Sequence, residues 1–556
     1  MLLLGDDRRG AASGSVEDLP EALIEEARRR TRRRRRRGRL VVVLLVGVVV
    51  FGWIASAGGG SGVVAETASR PFVNVRAFSH DGELAFVSRG SLWVLDGAAG
   101  ALRKVASTSY TAQAEGTIDF GGIPAHTALV PGSPAFSRDG RWLAYLVPHG
   151  AGDGAFSQLW IADGDGTAAH LVSRLAVDQL VGWSPSADVL AVTTDTRTAP
   201  VYDPAMGTKL RSDEATVLQL VTPGGVTRRL LVVPAIVHGP QIYDAVWSPN
   251  GTAIAVATYE GFPSPLSTVR AYPIAGGTPT TWLVIRARQG LPGVCTAACG
   301  GVTADLAGWW RGWGIAFWAL PGALAQTVDA TALVVLASPG ATPHVIARTL
   351  ANGTTDEIAT APDGAVALVA STRGSGRVYT QGKAVETCAL RTRTCAELPG
   401  DTVWSGATPR FPCPSPCSQF HQPPPGVPGS AVSLDPAWST NGSQLAYVEA
   451  PATPTGENPT PAWYGAHELF LWNSRTDTTR KLADISGVIV PTWSNDGKQL
   501  LYVSGDGLWL APLVAGRPVE IEHPLFPKQE WRTVATNQLS FYGQIAWTAH
   551  FSWSSP

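Results

Sequence analysis

The sequence predicts an all-β fold of short antiparallel strands that follows one N-terminal apolar segment. Three observations predict it. A short turn-and-strand motif recurs along the chain, long blocks of helical periodicity are absent after residue 70, and the composition suits strands joined by tight turns. Of the 556 residues, 45% are hydrophobic and 16% charged, so disorder is not the dominant state. Gly 60 and Pro 42 supply turns, and Trp 20 against Met 2 provides aromatic side chains to fill layers between sheets.

The motif is a small residue, an aromatic, Ser, one or two residues, Asp-Gly or Asn-Gly, then an apolar strand. It reads Ala77-Phe78-Ser79-His80-Asp81-Gly82 before Leu84-Ala85-Phe86, and Ala135-Phe136-Ser137-Arg138-Asp139-Gly140 before Leu143-Ala144-Tyr145. It returns at Val246-Trp247-Ser248-Pro249-Asn250-Gly251, at Ala437-Trp438-Ser439-Thr440-Asn441-Gly442 and at Thr492-Trp493-Ser494-Asn495-Asp496-Gly497. Degenerate copies sit at Gly182-Trp183-Ser184-Pro185 and Ala361-Pro362-Asp363-Gly364. Asp-Gly and Asn-Gly supply the positive φ of a tight hairpin, and the Ser hydroxyl stiffens it by bonding the local backbone. The alternating run that follows is a strand with one face against a neighbouring sheet, and the aromatic fills the space between sheets.

A second strand follows in many units, as in Leu92-Trp93-Val94, Leu159-Trp160-Ile161 and Leu508-Trp509-Leu510. Turn residues and a further strand come next, so each unit holds four antiparallel strands, the blade of a β-propeller. Motif positions 78, 136, 183, 247, 361, 438 and 493 leave one double gap, which a unit near Trp313–Leu336 fills. The count is then about eight blades, or seven if that unit is not separate. The tail Ile545-Ala546-Trp547-Thr548 reads as an inner strand that closes the ring against an N-terminal strand.

This repeat resembles the WD-like propeller repeat of the TolB family, in which aromatic-Ser-Pro-Asp-Gly precedes an apolar strand. The resemblance covers roughly residues 70–555 and implies the fold; similar blades serve translocation proteins, peptidase gates and receptor ectodomains. Several copies here lack the Pro, and Gly308-Trp-Trp-Arg-Gly-Trp313 lacks the turn motif.

The head of the chain is different. Residues 1–39 hold 12 Arg against 7 Asp or Glu, and Arg28–Arg39 alone contains ten arginines. Leu40–Ala57 follows with no charge, and none appears until Glu66. Eighteen helical residues rise about 27 Å, close to the hydrocarbon core of roughly 30 Å. The basic block belongs on the cytoplasmic side, so the rest lies outside. The expected organisation is a cytoplasmic head at 1–39, a transmembrane helix or signal segment at 40–57, a linker at 58–69 and the propeller at 70–556. Cleavage after Ala57 is the alternative to an uncleaved anchor. The propeller part carries a net charge of −6 within the total of −1, against a nucleic-acid surface.

No Gly-x-Ser-x-Gly elbow and no His-Glu-x-x-His occurs, and there is no room for an appended hydrolase domain. The expectation is a protein that is not an enzyme, with no catalytic residue, metal or cofactor. Its leading role is a monomeric, membrane-tethered binding or scaffold module for a protein or envelope polymer. The alternatives are an envelope hydrolase or lyase with a site in the channel, and a transmembrane sensor signalling through the basic head. Candidates for a partner-binding rim are Trp463 and Tyr464, in a Pro- and Thr-rich stretch, and Trp309, Trp310 and Trp313 around Arg311. The Pro-rich stretch Phe411–Pro428 is a further long insertion. Their bland alternative is packing between blades.

Six cysteines fall in three close pairs: Cys388/Cys395, Cys295/Cys299 and Cys413/Cys417. An even count in an exported domain predicts disulfides. Cys388 and Cys395 flank a polar stretch as the ends of a hairpin would, which sets them face to face. The other four close locally or cross-pair.

Overall fold

The structure, a computed structural model, describes residues 71–107, 132–195, 215–286, 291, 302–348, 357–398, 431–451, 466–523 and 551–554. Excepted within those ranges are 89–90, 150–155, 235–239, 261–265, 322–331, 370–371, 375–376, 380–385, 390–393, 505–506 and 514–516. The apolar segment 40–57 and its basic head lie outside the described residues. Among the described residues no helix is long and apolar enough to cross a membrane.

These residues form antiparallel strands and one 3-10 turn, Val75–Phe78. The strands form a five-stranded, a seven-stranded and five four-stranded sheets and one two-stranded hairpin; they make successive groups of four, with the strand His170–Trp183 shared by two of them. In the first, the C-terminal strand Phe551–Ser554 pairs with Glu83–Ser88, followed by Ser91–Asp96 and Ala101–Ser107. The second is Gly132–Phe136, Trp142–His149, Phe156–Asp163 and the first half of His170–Trp183. The second half of that strand opens the third, with Leu190–Asp195, Ala215–Val221 and Thr227–Pro234. Pro240–Trp247, Ala253–Glu260, Leu266–Pro273 and Thr280–Arg286 make the fourth; Val302–Trp310, Gly314–Pro321, Ala332–Leu336 and His344–Arg348 make the fifth. The sixth is Glu357–Thr360, Val366–Val369, Glu386–Ala389 and Thr394–Glu397, with a separate hairpin Thr372–Gly374/Arg377–Tyr379. Ala431–Trp438, Gln444–Pro451, Glu468–Asn473 and Thr478–Ser486 form the seventh. Val488–Trp493, Gln499–Ser504, Gly507–Pro512 and Val519–His523 form the eighth, whose outer edge is covered by Phe72–Val73.

Apolar side chains from facing strands join each sheet to the next. Trp313, Trp318 and Leu333 of the fifth pack on Val366 and Cys388 of the sixth. Leu500, Tyr502 and Leu508 of the eighth meet both Leu469 of the seventh and Leu84, Phe86 and Trp93 of the first. The order of contact therefore returns to its start. Each such side chain contributes about 1.5–3 kcal/mol by leaving water.

The motif turns form as the residue types require. Ser439 Oγ donates to Asn441 Oδ1 at 3.0 Å and accepts the Gln444 N–H at 2.9 Å. Ser248 with Asn250 repeats this, and Ser137 Oγ and Ser494 Oγ bond Asp139 and Asp496 at 2.7 Å. Gly442 and Gly497 sit at φ 68° and 70°, where a Cβ is strained.

One expectation is corrected, one falls outside the described residues and one holds. The first motif copy carries no inner strand of its own: Val75–Phe78 is a 3-10 turn, and the inner strand comes from the other end of the chain. That strand is Phe551–Ser554, whereas residues 545–548 lie outside the described residues. Trp553 pairs with Leu84 as the motif aromatics pair elsewhere, and its Nε1 donates to the Asp81 carbonyl at 2.7 Å. The stretch without a turn motif makes a full sheet nonetheless, its first two strands joined by Arg311–Trp313 alone.

Candidate functional site

Most inner strands touch the inner strand of the next sheet, so they bring residues distant in sequence together. Two sets of polar positions run along this wall. In one, the motif tryptophan donates backward to the carbonyl just before the previous aromatic. Trp183 bonds Ala135 at 2.9 Å, Trp247 bonds Gly182 at 2.8 Å and Trp493 bonds Ala437 at 2.8 Å. Indole is the aromatic with both the area to fill the gap and an N–H to reach across it.

The other set shares one register position. Gln179, Asp244, Asp305 and Glu357 each pair with a residue three beyond the partner of the motif aromatic: Thr193, Ala257, Trp318 and Val369. The seventh and eighth sheets place Leu434 and Ile489 there. Gln179 Nε2 donates to Asp244 Oδ1 at 2.6 Å, and the same oxygen accepts the Ala245 N–H at 2.7 Å. Asp244 and Asp305 are buried.

In the seventh sheet the carboxylate sits one residue later, in a bulge. Asp435 adopts φ 49° and its Oδ2 accepts the Val490 N–H of the eighth sheet at 2.9 Å. Burial pushes its carboxyl up to about 6, with the Val490 bond pulling the other way. Two residues further into the same sheet–sheet seam, the fully buried His467 sets Nδ1 3.1 Å from the Val488 carbonyl. Burial holds this imidazole down to about 4, so it is neutral and donates from Nδ1. Sheet seven thus grips residues 488–490 with two perturbed groups. A carboxyl near 6 matches the range of a proton-transferring group.

The two ends of the sheets differ. At one end lie the motif turns and the turns between third and fourth strands, the longest being 337–343. Every longer connection joins strands at the opposite end: 108–131, 196–214, 287–301, 322–331, 349–356, 370–385, 398–430, 452–467 and 524–550. The short-turn end has a cleft of about 300 Å³ lined by Glu83, Asp139, Arg141, Asp163, Asp165 and Thr167. Several of its polar groups are paired: Thr167 bonds Asp165 at 2.6 Å, and Arg141 bonds Asp139 and reaches Asp188 at 2.7 Å. Among the described residues no three His, Cys, Asp or Glu side chains converge to hold a metal ion.

The residues singled out in the sequence separate clearly. Trp310 and Trp313 are buried between the fifth and sixth sheets, Trp313 Nε1 donating to the Gly364 carbonyl at 2.7 Å. Trp309 is half-buried and stacks edge-on against Trp282 at 5.1 Å. These indoles serve packing, and only Arg311 is exposed, at the short-turn end. Trp463, Tyr464 and Phe411–Pro428 lie outside the described residues, in connections that start and finish at the long end. Cys388 and Cys395 pair across a hairpin, Cα–Cα 4.0 Å, and form a disulfide. Cys295, Cys299, Cys413 and Cys417 lie outside the described residues. Sequence reasoning missed Gln179, Asp244, Asp305, Glu357, Asp435 and His467, because register and bulges set their alignment. One signal existed: Pro134, Pro436 and Pro491 each stand two before the aromatic, where bulges interrupt pairing.

No family model matches the chain. No curated protein matches it either. Solved structures share its fold. An oligogalacturonate lyase in complex with manganese is 15% identical, with 72% of this chain and 90% of that one covered and a TM-score of 0.37. A structure from an analysis of two prolyl endopeptidases is 12% identical, covering 81% and 55%, with a TM-score of 0.41. The β-propeller domain of the Trilobed protease from Pyrococcus furiosus is 8% identical, covering 70% and 96%, with a TM-score of 0.36. The chain spans about half the length of the peptidase and puromycin hydrolase chains it matches, 48–55%. What is shared is the β-propeller, and the resemblance to TolB stands at that level. The expectation that the chain is not an enzyme is overturned here. These neighbours are a lyase, peptidases and a hydrolase.

Proposed function

We propose that the chain is an extracytoplasmic, eight-bladed propeller of the TolB kind, tethered through residues 40–57, that engages a protein or polymer of the cell envelope at its long-connection end. The confinement of every long connection to one end carries this reading. Loops placed on a rigid scaffold are where recognition is built, and a random scatter of insertions would use both ends. The eight sheets, each packed on the next and the last on the first, support the blade count. The Cys388–Cys395 disulfide supports an oxidising compartment, and the uncharged Leu40–Ala57 beside its arginines supports the tether. Trp463, Tyr464 and the stretch 411–428 belong to this rim.

Photo-crosslinking in intact cells tests the reading. A photoreactive residue at position 463 or 464 should capture envelope material, and one at Arg475 or Lys498, at the short-turn end, should not. Equal capture from both ends would refute it.

A second reading, a hydrolase or lyase acting at the channel, is favoured by Asp435. Its partly buried carboxyl near 6 stands on an inner strand beside the seam with the eighth sheet. Turnover of an envelope polymer that rises or falls through about pH 6, and is lost in Asp435→Asn, is the expected result. Turnover unaffected by that substitution would dismiss Asp435.

A further inference from the structure

The outer strands of the third and fourth sheets differ from those of the other sheets in charge. Ala215–Val221 with Thr227–Pro234, and Leu266–Pro273 with Thr280–Arg286, contain no Asp or Glu, their connecting turns included. They carry Arg228, Arg229, Arg270 and Arg286, all exposed, although residues 40–556 as a whole are acidic. Among the described residues the cations held in ion pairs are Arg103, Arg141, Lys481 and Lys498, which belong to the first, second, seventh and eighth sheets. The arginines of the third and fourth sheets take part in none of these pairs. Val226 and Val232, 68% and 45% exposed, flank Arg228 and Arg229 in sequence. Thr227–Pro234 is also the end of its sheet, so every second residue points its N–H and C=O outward. The register skips Leu230, which makes Leu231–Pro234 the regular part of this edge and sets both arginines just beyond a bulge. Elsewhere the ring already accepts an added strand: Phe72–Val73 pairs antiparallel with His523 and Glu522 on the outer strand of the eighth sheet.

We propose that the edge Thr227–Pro234 receives an extended acidic peptide segment of a partner protein as an added strand. The segment's main chain pairs along Leu231–Pro234, an apolar side chain meets Val232, and carboxylates meet Arg228 and Arg229. A free ladder edge, exposed valines and arginines outside these ion pairs together select this occupant. A phosphate or sugar-acid polymer would use the arginines alone, and a second copy of this edge would set arginine against arginine. The surface lies on outer strands, apart from the long-connection end, and goes beyond the recognition proposed there.

The test uses the full chain in lipid nanodiscs and a photoreactive octapeptide alternating Glu with Val, with a Lys–Val octapeptide as control. Capture is mapped by mass spectrometry, so contact with the arginine-rich head is counted separately from contact with residues 227–234. The Glu–Val peptide should saturate this edge and the Lys–Val peptide should not label it. R228Q/R229Q should reduce capture there about tenfold, and R228K/R229K, which keeps the charge, should retain most of it. R76Q/K104Q, which removes the same charge elsewhere, should leave it within about twofold. Of the two Glu–Val peptides N-methylated at alternate residues, the one whose pairing edge is blocked should lose capture several-fold while the other keeps it. Capture unchanged in R228Q/R229Q, or equal from both N-methylated peptides, overturns the proposal. Arginines that serve only to keep copies apart would let R228Q/R229Q dimerise with peptide capture unaltered, which overturns it as well. An unshifted thermal transition in R228Q/R229Q separates lost contact from lost folding, and the single variants, each expected to lose about threefold, decide the matter if the double variant unfolds. None of these outcomes bears on crosslinking at position 463 or 464, so the two surfaces stand or fall separately.

Discussion

At the short-turn end, polar side chains spend their bonding capacity on one another: Ser494 on Asp496, Thr440 on the Asn495 carbonyl, Trp472 on Asp477. Lys498 pulls the Asp496 carboxyl down to about 2. At the opposite end the same strands open into connections many times longer, which hold both candidate aromatics and four of the six cysteines. One end repeats because each turn sets the register of the strand that follows, although the fifth sheet forms on a tight turn without the motif. The other varies because its segments leave the sheets once the ladders are complete. On the proposed reading, stability and recognition divide between the two ends, and substitutions should tell them apart.

The largest effect expected is at the packed side of this division. Trp313→Ala removes a fully buried indole and strands the Gly364 carbonyl, which should cost about 3–5 kcal/mol, read as a lowered thermal midpoint. A loss below about 1 kcal/mol would mean that the fifth and sixth sheets are not coupled through it. Next comes the seam held by Asp435 and His467. The raised Asp435 pKa means that the folded state keeps a proton the unfolded state has lost, so its contribution falls as pH rises from about 4 to 6. The lowered His467 pKa has the opposite sign: the unfolded state takes up a proton first, so stability falls as pH drops from about 6.5 to 4. The two contributions oppose one another across the same pH window. Asp435→Asn should unmask the histidine, giving stability that climbs with pH across this window, and His467→Gln should reverse the slope. Parallel slopes in both variants would contradict the assignment.

Smaller effects complete the series. Cys388→Ser with Cys395→Ser releases a short loop on the outer hairpin of the sixth sheet, and should lower stability by about 2 kcal/mol without touching binding. Ser439→Ala should cost about 1 kcal/mol, since the Gln444 N–H loses its acceptor while Asn441 keeps other donors. Trp463→Ala with Tyr464→Ala should change stability by less than about 0.5 kcal/mol yet strongly reduce capture by a photoreactive residue placed at Thr460. A destabilising effect there would move these aromatics to the packed side of the comparison.

How far the sequence could be read follows the same division. Ser, Asp or Asn, and Gly in the motif act within a few residues of one another, so their turns and the strands after them were legible directly. The fifth sheet was legible from spacing alone, with Ile315-Ala316-Phe317-Trp318 on its second strand. The inner strand of the first sheet was not, because Phe551–Ser554 lies at the far end of the chain and its partner only becomes clear through register. The candidate site fared worse for a related reason. Asp244 and Asp435 both stand three residues before a motif tryptophan and Asp305 four before Trp309, yet Asp435 falls in a bulge and leaves the shared register, so spacing alone does not align them.

The strand His170–Trp183 belongs to two sheets at once, pairing with Phe156–Asp163 along its first half and Leu190–Asp195 along its second. No connection separates the second sheet from the third, so neither can shear against the other or fray alone. In amide exchange these seven strands should open as a single cooperative block, with the amides of Val177 and Gln179 among its slowest. Blades joined by a free linker can turn independently about it; here two consecutive blades form a rigid sector, and any breathing of the ring falls to the remaining seams.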